Sequence, residues 1–144
     1  MFDLTVLCKV VDNYGDIGFV YRLCRSLAEI TDDIKIRLVV SNLESFAAMA
    51  KEINPNKPQQ FFRNWQIFDW NNAEICKNEF SKNPPVFLLE CFQCGRPDWL
   101  EDIIFSDNMT VLGSVDVSKN KLKELTIIDS DYLMFLNCED NYIT

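Results

Sequence analysis

Asp12 and Asp16 stand four residues apart around Gly15 in the segment Asp12-Asn13-Tyr14-Gly15-Asp16-Ile17-Gly18. An apolar run from Leu4 to Val11 precedes the segment and residues with helical spacing follow it, so both carboxylates fall at a strand end just before a helix N-terminus. Paired carboxylates in that position can bind and polarise a ligand. The same residues also have an architectural reading, in which Asp16 caps the helix and the glycines allow a tight turn. The spacing is neither the G-x-G-x-x-G dinucleotide fingerprint nor a P-loop, which needs a Lys followed by Ser or Thr after its last glycine. The chain contains no histidine, which removes His-based triads, His-containing zinc sites and imidazole bases. Acid and base chemistry therefore falls to carboxylates, Lys, Tyr or Cys.

Cys91-Phe92-Gln93-Cys94 is formally a C-x-x-C pair, and such a pair at a helix N-terminus can exchange disulfides. Here Cys91 still belongs to the apolar strand pattern and the next helix is expected to begin at Pro97, so a thiol-redox protein is the most distant of the readings. The other cysteines, at 8, 24, 76 and 138, show no ligand spacing. All six are expected to be reduced and mostly structural. Glu90, at the end of the same strand, is either a helix-capping anion or a contact to a bound substrate. The aromatic residues of Phe61-Phe62-Arg63-Asn64-Trp65 and Asp69-Trp70 read as core before they read as a recognition surface.

The elements that must position these groups alternate in type. Strands are expected over Leu4 to Val11, Ile34 to Val40 and Val86 to Phe92, with shorter pieces at Phe61-Phe62 and Gln66 to Phe68 and a later one from Met109 to Val117. Phe19, Leu23, Leu27 and Ile30 recur at helical spacing between the first two strands. Ser41 with Glu44 three residues on is a capping-box signature for a helix from Leu43 to Ile53, which Asn54-Pro55 stops. Asn71 with Glu74 predicts a helix through Phe80, and Pro97 is suited to open one running to Phe105. Lys119 to Leu125 reads as helical, and Ile127 to Leu136 is compatible with either state. This alternation argues an α/β fold with an open, mostly parallel sheet and helices on both faces, where functional groups collect at the carboxyl ends of the strands.

With 144 residues, 48% hydrophobic, the chain reads as one domain spanning residues 1–144. Fourteen basic residues against 22 acidic ones give a net charge of -8, which disfavours nucleic acid as a partner because a phosphate backbone needs clustered Lys and Arg. No apolar run approaches the roughly 18 residues of a membrane span, and Met1 to Leu7 lacks a basic leader, so a cytoplasmic protein with no membrane partner is expected.

Residues Cys8 to Leu23 carry a resemblance. The run Asp12-Asn13-Tyr14-Gly15-Asp16-Ile17-Gly18-Phe19-Val20-Tyr21-Arg22-Leu23 resembles the signature Asp-Asn-Phe/Tyr-Gly-Asp-Ile-Gly followed by an aromatic-Arg-Leu helix in the elongation factor P arginine rhamnosyltransferases, the EarP family, with Tyr21 where the family usually has Trp. Leu89-Glu90-Cys91-Phe92-Gln93-Cys94-Gly95-Arg96-Pro97-Asp98 is similar to the family segment Ile-Glu-Ala-Phe-Gly/Ala-Cys-Glu-Leu-Pro-Glu. The resemblance covers the chain up to Phe105. Further on, the family's Glu-Tyr-Leu-Ser/Thr-Ala-Glu is replaced by Asp116-Val117-Ser118-Lys119-Asn120, with Asp131-Tyr132-Leu133 as a displaced echo.

The resemblance implies a Rossmann-like domain equivalent to the N-terminal half of a GT-B glycosyltransferase. It implies transfer of L-rhamnose from TDP-β-L-rhamnose to an arginine of translation elongation factor P, with inversion. Asp16 would then be the general base and Asp12 its orienting partner, with Asn13, Tyr14, Gly15 and Glu90 at the substrate. No metal or cofactor is called for. The donor nucleotide sugar would be held mainly by a C-terminal domain that these 144 residues do not include, so the chain alone is expected to be incomplete for catalysis. The alternative is a protein-binding module of the same fold that does no chemistry.

Overall fold

The computed structural model describes residues 2–12, 14–91, 95–104, 111–116 and 133–137. The chain runs β1 (Phe2–Cys8), α1 (Gly15–Ile30), β2 (Ile34–Val40), α2 (Leu43–Met49), β3 (Gln59–Phe62), β4 (Trp65–Asp69), α3 (Ala73–Lys82), β5 (Phe87–Glu90), α4 (Asp98–Ile104), β6 (Val111–Asp116) and β7 (Leu133–Asn137). The strands form one seven-stranded sheet in the order β3-β4-β2-β1-β5-β7-β6. Every pairing is parallel except β3 with β4, a hairpin whose two connecting residues, Arg63 and Asn64, both have positive φ. That conformation gives the turn the twist a two-residue hairpin needs.

Side-chain alternation along the strands divides the core in two. Leu4, Val6 and Cys8 of β1 and Ile36, Leu38 and Val40 of β2 pack under α1 and α2 through Ile17, Val20, Leu23, Leu43 and Phe46. Leu7, Val39, Phe68 and Leu88 face the opposite way, against Cys76 and Phe80 of α3 and Trp99, Leu100 and Ile103 of α4. The expected α/β sheet with helices on both faces is what forms. Arg37 lies on the α3 face, fully buried. Its guanidinium donates to the Asn83 carbonyl at 2.6 Å, pairs with Asp3 at 3.4 Å and stacks over the Phe80 ring at 4.2 Å. Burial pulls this guanidinium below its ordinary pKa, with the Asp3 and Glu79 charges acting in the opposite sense.

Several boundaries differ from expectation for local reasons. β1 stops at Cys8 because the next amides turn to side chains: Val10 N–H donates to Ser41 Oγ at 2.7 Å and Val11 N–H to the Asp16 carboxylate at 2.8 Å. Val11, though apolar, is therefore 82% exposed. α1 begins at Gly15, inside the segment expected to be loop, and its last apolar residue, Ile30, is exposed. α2 is capped by Asn42, whose side chain accepts from Ser45 N–H, and it ends at Met49. Ser41 thus serves β1 instead of capping the helix. α3 is likewise capped one residue later, by Asn72, and β5 ends at Glu90, short of Phe92. Pro97 stands just before α4 and supplies its cap through the backbone, the Pro97 carbonyl accepting from Leu100 and Glu101 N–H at 3.0 and 3.1 Å. The aromatic run divides as a hairpin must, with Phe62 and Trp65 in the core and Phe61 exposed. β6 falls within the strand expected from Met109 to Val117, and β7 makes the end of the ambiguous Ile127 to Leu136 stretch a strand. Lys119 to Leu125 lies outside the described residues.

Candidate active site

β1 is the central strand where the connections change sides. The chain leaves β1 toward α1 on one face of the sheet and leaves β5, its parallel neighbour, toward α4 on the other. In such a sheet the two loops diverge and leave a crevice at the carboxyl ends of the strands. Leu7 stands in register with Glu90, and Cys91 N–H donates to the Leu7 carbonyl at 3.4 Å, so both strands end at the same level. The two segments singled out from sequence, one around Asp12 and one around Glu90, form the two lips of this crevice.

On the first lip, Asp16 organises the loop before its own helix. Its Oδ2 accepts from Val11 N–H at 2.8 Å and from Asp12 N–H at 3.0 Å. It does not cap α1: the N-cap position is Tyr14, which makes no side-chain cap, and its carbonyl accepts from Gly18 N–H at 2.9 Å. The Asp12 carboxylate folds over the start of α1 and rests on Gly15, its Oδ2 2.7 Å from where a β-carbon would be. The glycine is needed for this approach and not for a turn, since it lies in the helix. A carboxylate over the first turn of a helix is also where the backbone dipole favours negative charge. Asp12 and Tyr14 are exposed, Tyr14 to 58%. Asp12, Tyr14, Gly15 and Asp16 are thus brought together, while Asn13 lies outside the described residues.

On the second lip, Glu90 neither caps α4 nor stands open. Its Oε1 accepts from Arg96 Nη1 at 2.6 Å, and Arg96 Nη2 lies 3.4 Å from Glu101 Oε1. A cation bridging the end of β5 and α4 was not anticipated from sequence, and neither was the use of Ser41 to pin the start of the β1–α1 loop. Among the described residues no group of three or more His, Cys, Asp or Glu could hold a metal ion. No described helix is long and apolar enough to cross a membrane.

Over residues 4–113 the sequence matches the family described as elongation factor P (EF-P) rhamnosyltransferase EarP. The chain belongs to this family. It is similar to proteins named protein-arginine rhamnosyltransferase from Shewanella oneidensis, 36% identical over 93 residues, from Pseudomonas putida, 35% over 92, and from Pseudomonas aeruginosa, 30% over 95. These alignments cover 64 to 65% of this chain but only 22 to 23% of each relative. The chain therefore spans about a quarter of the length of the curated relatives it matches. The EarP match begins inside β1, takes in every element from α1 through α4 and both lips of the crevice, and ends inside β6; β7 lies beyond it.

Within this EarP domain the described cysteines are core residues. Cys8, Cys24, Cys76 and Cys91 are buried. Cys76 donates to the Asp69 carbonyl at 3.2 Å, and burial, reinforced by the Asp69 charge, pushes its thiol up to about 12. Cys94, the second residue of the C-x-x-C pair, lies outside the described residues.

Proposed function

We propose that this chain is the acceptor-binding half of a protein-arginine rhamnosyltransferase, acting on an arginine of translation elongation factor P in the cytoplasm. The observation that carries the reading is the Asp12 and Asp16 pair at the carboxyl end of the central strand. One carboxylate is fixed by two backbone amides and the other is exposed beside it.

The chemical difficulty in such a transfer is the nucleophile. A guanidinium holds its proton to a pKa above about 12 and delocalises its lone pairs, so it attacks carbon only when oriented and relieved of a proton. Two carboxylates answer both needs by charge-assisted hydrogen bonds to the planar fork and by accepting the proton as charge develops. Asp16 is suited to the base, because its two backbone bonds use Oδ2 and fix the plane of the group, and Oδ1 accepts no hydrogen bond from another described residue. Asp12, exposed at the mouth, is suited to orient the guanidinium. Tyr14 and Gly15 are suited to shape the sugar end of the cleft.

In the step itself a terminal guanidinium nitrogen forms a bond to the anomeric carbon of L-rhamnose, from the face opposite the leaving group. The bond to the TDP oxygen breaks, its electron pair leaves with TDP, and the proton passes to Asp16. In this reading the TDP-β-L-rhamnose donor is held mainly by a second domain, as in a GT-B arrangement.

The test is transfer by this chain co-expressed with the donor domain of a relative. Asp16→Asn, which keeps an oxygen acceptor for the Val11 and Asp12 amides but removes the base, should abolish rhamnosylation of elongation factor P while leaving docking nearly intact. Unchanged turnover would contradict the assignment, and docking without turnover by the unaltered pair would favour a binding module of the same fold.

A further inference from the structure

We propose that the outer edge of β3 is a docking site for an extended segment of a partner protein that carries a carboxylate at each end. The edge lies three strands from β1, and its turn is at the end of the sheet opposite the crevice. The inference therefore does not depend on the acceptor reading.

Its first basis is the backbone. β3 ends the sheet on one side, and among the described residues no strand pairs beyond it. The Pro58 carbonyl accepts from Asp69 N–H at 2.8 Å, and Phe62 faces Trp65 where the hairpin closes. Antiparallel peptide groups alternate in direction, so those of Gln60 and Phe62 face β4 while the N–H and C=O of Gln59 and Phe61 point outward. Such a row is a template for another strand, which adds through main-chain hydrogen bonds and is selected by its side chains. Phe61, on the same edge, is 75% exposed and offers an apolar contact to the alternate side chains of an added strand.

Charge then chooses the occupant. Arg63 at the turn and Arg25 of α1 both bear on the Tyr21 ring, 5.8 and 5.5 Å from its centroid, and Lys57 stands just before β3. All three cations are exposed, and none pairs with a carboxylate among the described residues, in a chain of net charge -8. The turn itself does not select Arg63: its φ of +52° is a conformation for which a two-residue hairpin favours Asn, Asp or Gly. A second copy of this chain is the wrong occupant. Antiparallel pairing of two such edges about Gln60 would set Arg63 of each copy against Lys57 of the other, and like charges across strands oppose it. Basic flanks of this kind guard an edge against its own copies. The same flanks attract a strand that ends in carboxylates.

The experiment titrates the acetylated heptapeptide amide Glu-Thr-Val-Thr-Val-Thr-Glu into the chain by NMR, with the same peptide ending in Lys at both ends as control. The acidic peptide should shift the Gln59 and Phe61 amides together and slow their hydrogen exchange, and the Lys-ended peptide should bind at least tenfold more weakly. Arg25→Glu/Arg63→Glu should weaken the acidic peptide at least tenfold and improve binding of the Lys-ended one. Phe61→Pro, which removes one outward N–H, should abolish binding; melting curves establish that each variant is folded, and the charge reversal decides where the proline variant is not. No response at Gln59 and Phe61, or equal binding of both peptides by the wild-type chain, overturns the proposal. So does sedimentation showing that the chain dimerises and that Phe61→Pro prevents it, since the edge would then belong to a second copy.

Discussion

The carboxylate of Asp12 lies against the backbone of Gly15, with Oδ2 2.7 Å from the point a β-carbon would occupy. Any other residue at position 15 must move that carboxylate, and the atom that yields is the end of a side chain. Gly15→Ala should therefore separate stability from function. Alanine is favoured over glycine in a helix by up to about 1 kcal/mol, so the melting temperature should hold or rise slightly. Affinity for elongation factor P should fall, because the exposed carboxylate no longer rests where the helix start positions it. Thermal melts and calorimetry on the one variant test both halves.

Asp16 should be read out first through its neighbours' amides. In Asp16→Ala the Val11 and Asp12 N–H groups lose their acceptor, and since both are exposed, water replaces it at a stability loss of about 1 kcal/mol. Hydrogen exchange at these two amides should quicken markedly while exchange in the β1 ladder stays slow. Unaltered exchange at Val11 and Asp12 would mean that the carboxylate does not order the loop.

These two residues also show where sequence was sufficient and where it was not. The apolar runs of β1, β2 and β5 and the alternation with helices were enough for a parallel sheet with both faces covered, because buried strands must be apolar along their length. That the two carboxylates fall between the end of β1 and the first turn of α1 followed from the same pattern. Local bonding decided what the pattern left open. Val10 and Val11 continue the apolar run, yet their amides go to Ser41, 31 residues from Val10, and to Asp16. Ser41 and Asn42 are both good caps, and only the long-range use of Ser41 leaves the helix to Asn42. Gly15 looked like a turn glycine because the sequence does not show that a carboxylate folds back on it. Arg96 carried no signal at all, since its partners come from a strand end and a helix.

Arg37 gives the sheet its largest single polar liability. Truncation to Ala leaves the Asn83 carbonyl and the Asp3 carboxylate without their partner and opens a space beneath Phe80. Losing one side of a buried charged contact costs on the order of 3 kcal/mol. Urea denaturation of Arg37→Ala should show a fall of that size, and Arg37→Met, which fills the volume, a smaller one.

Cys76 predicts an alkaline limit. Its thiol, ordinarily near 9, is pushed up to about 12 in the folded chain. A raised folded-state value means the native state holds the proton more tightly, so the contribution is complete below pH 9 and is lost as pH rises toward 12. In that window stability should fall by about 1.4 kcal/mol per pH unit from this group. The difference between wild type and Cys76→Ala in denaturation from pH 8 to 11 isolates it. At pH 8 Cys76 should resist thiol reagents until the chain unfolds.

Calorimetric titration of this chain with unmodified elongation factor P decides whether it binds the acceptor protein through Asp12. Binding should be saturable and should weaken at least tenfold when the acceptor arginine is replaced by alanine or when Asp12 is replaced by asparagine. No binding by a demonstrably folded chain, or binding indifferent to both substitutions, would contradict the acceptor reading.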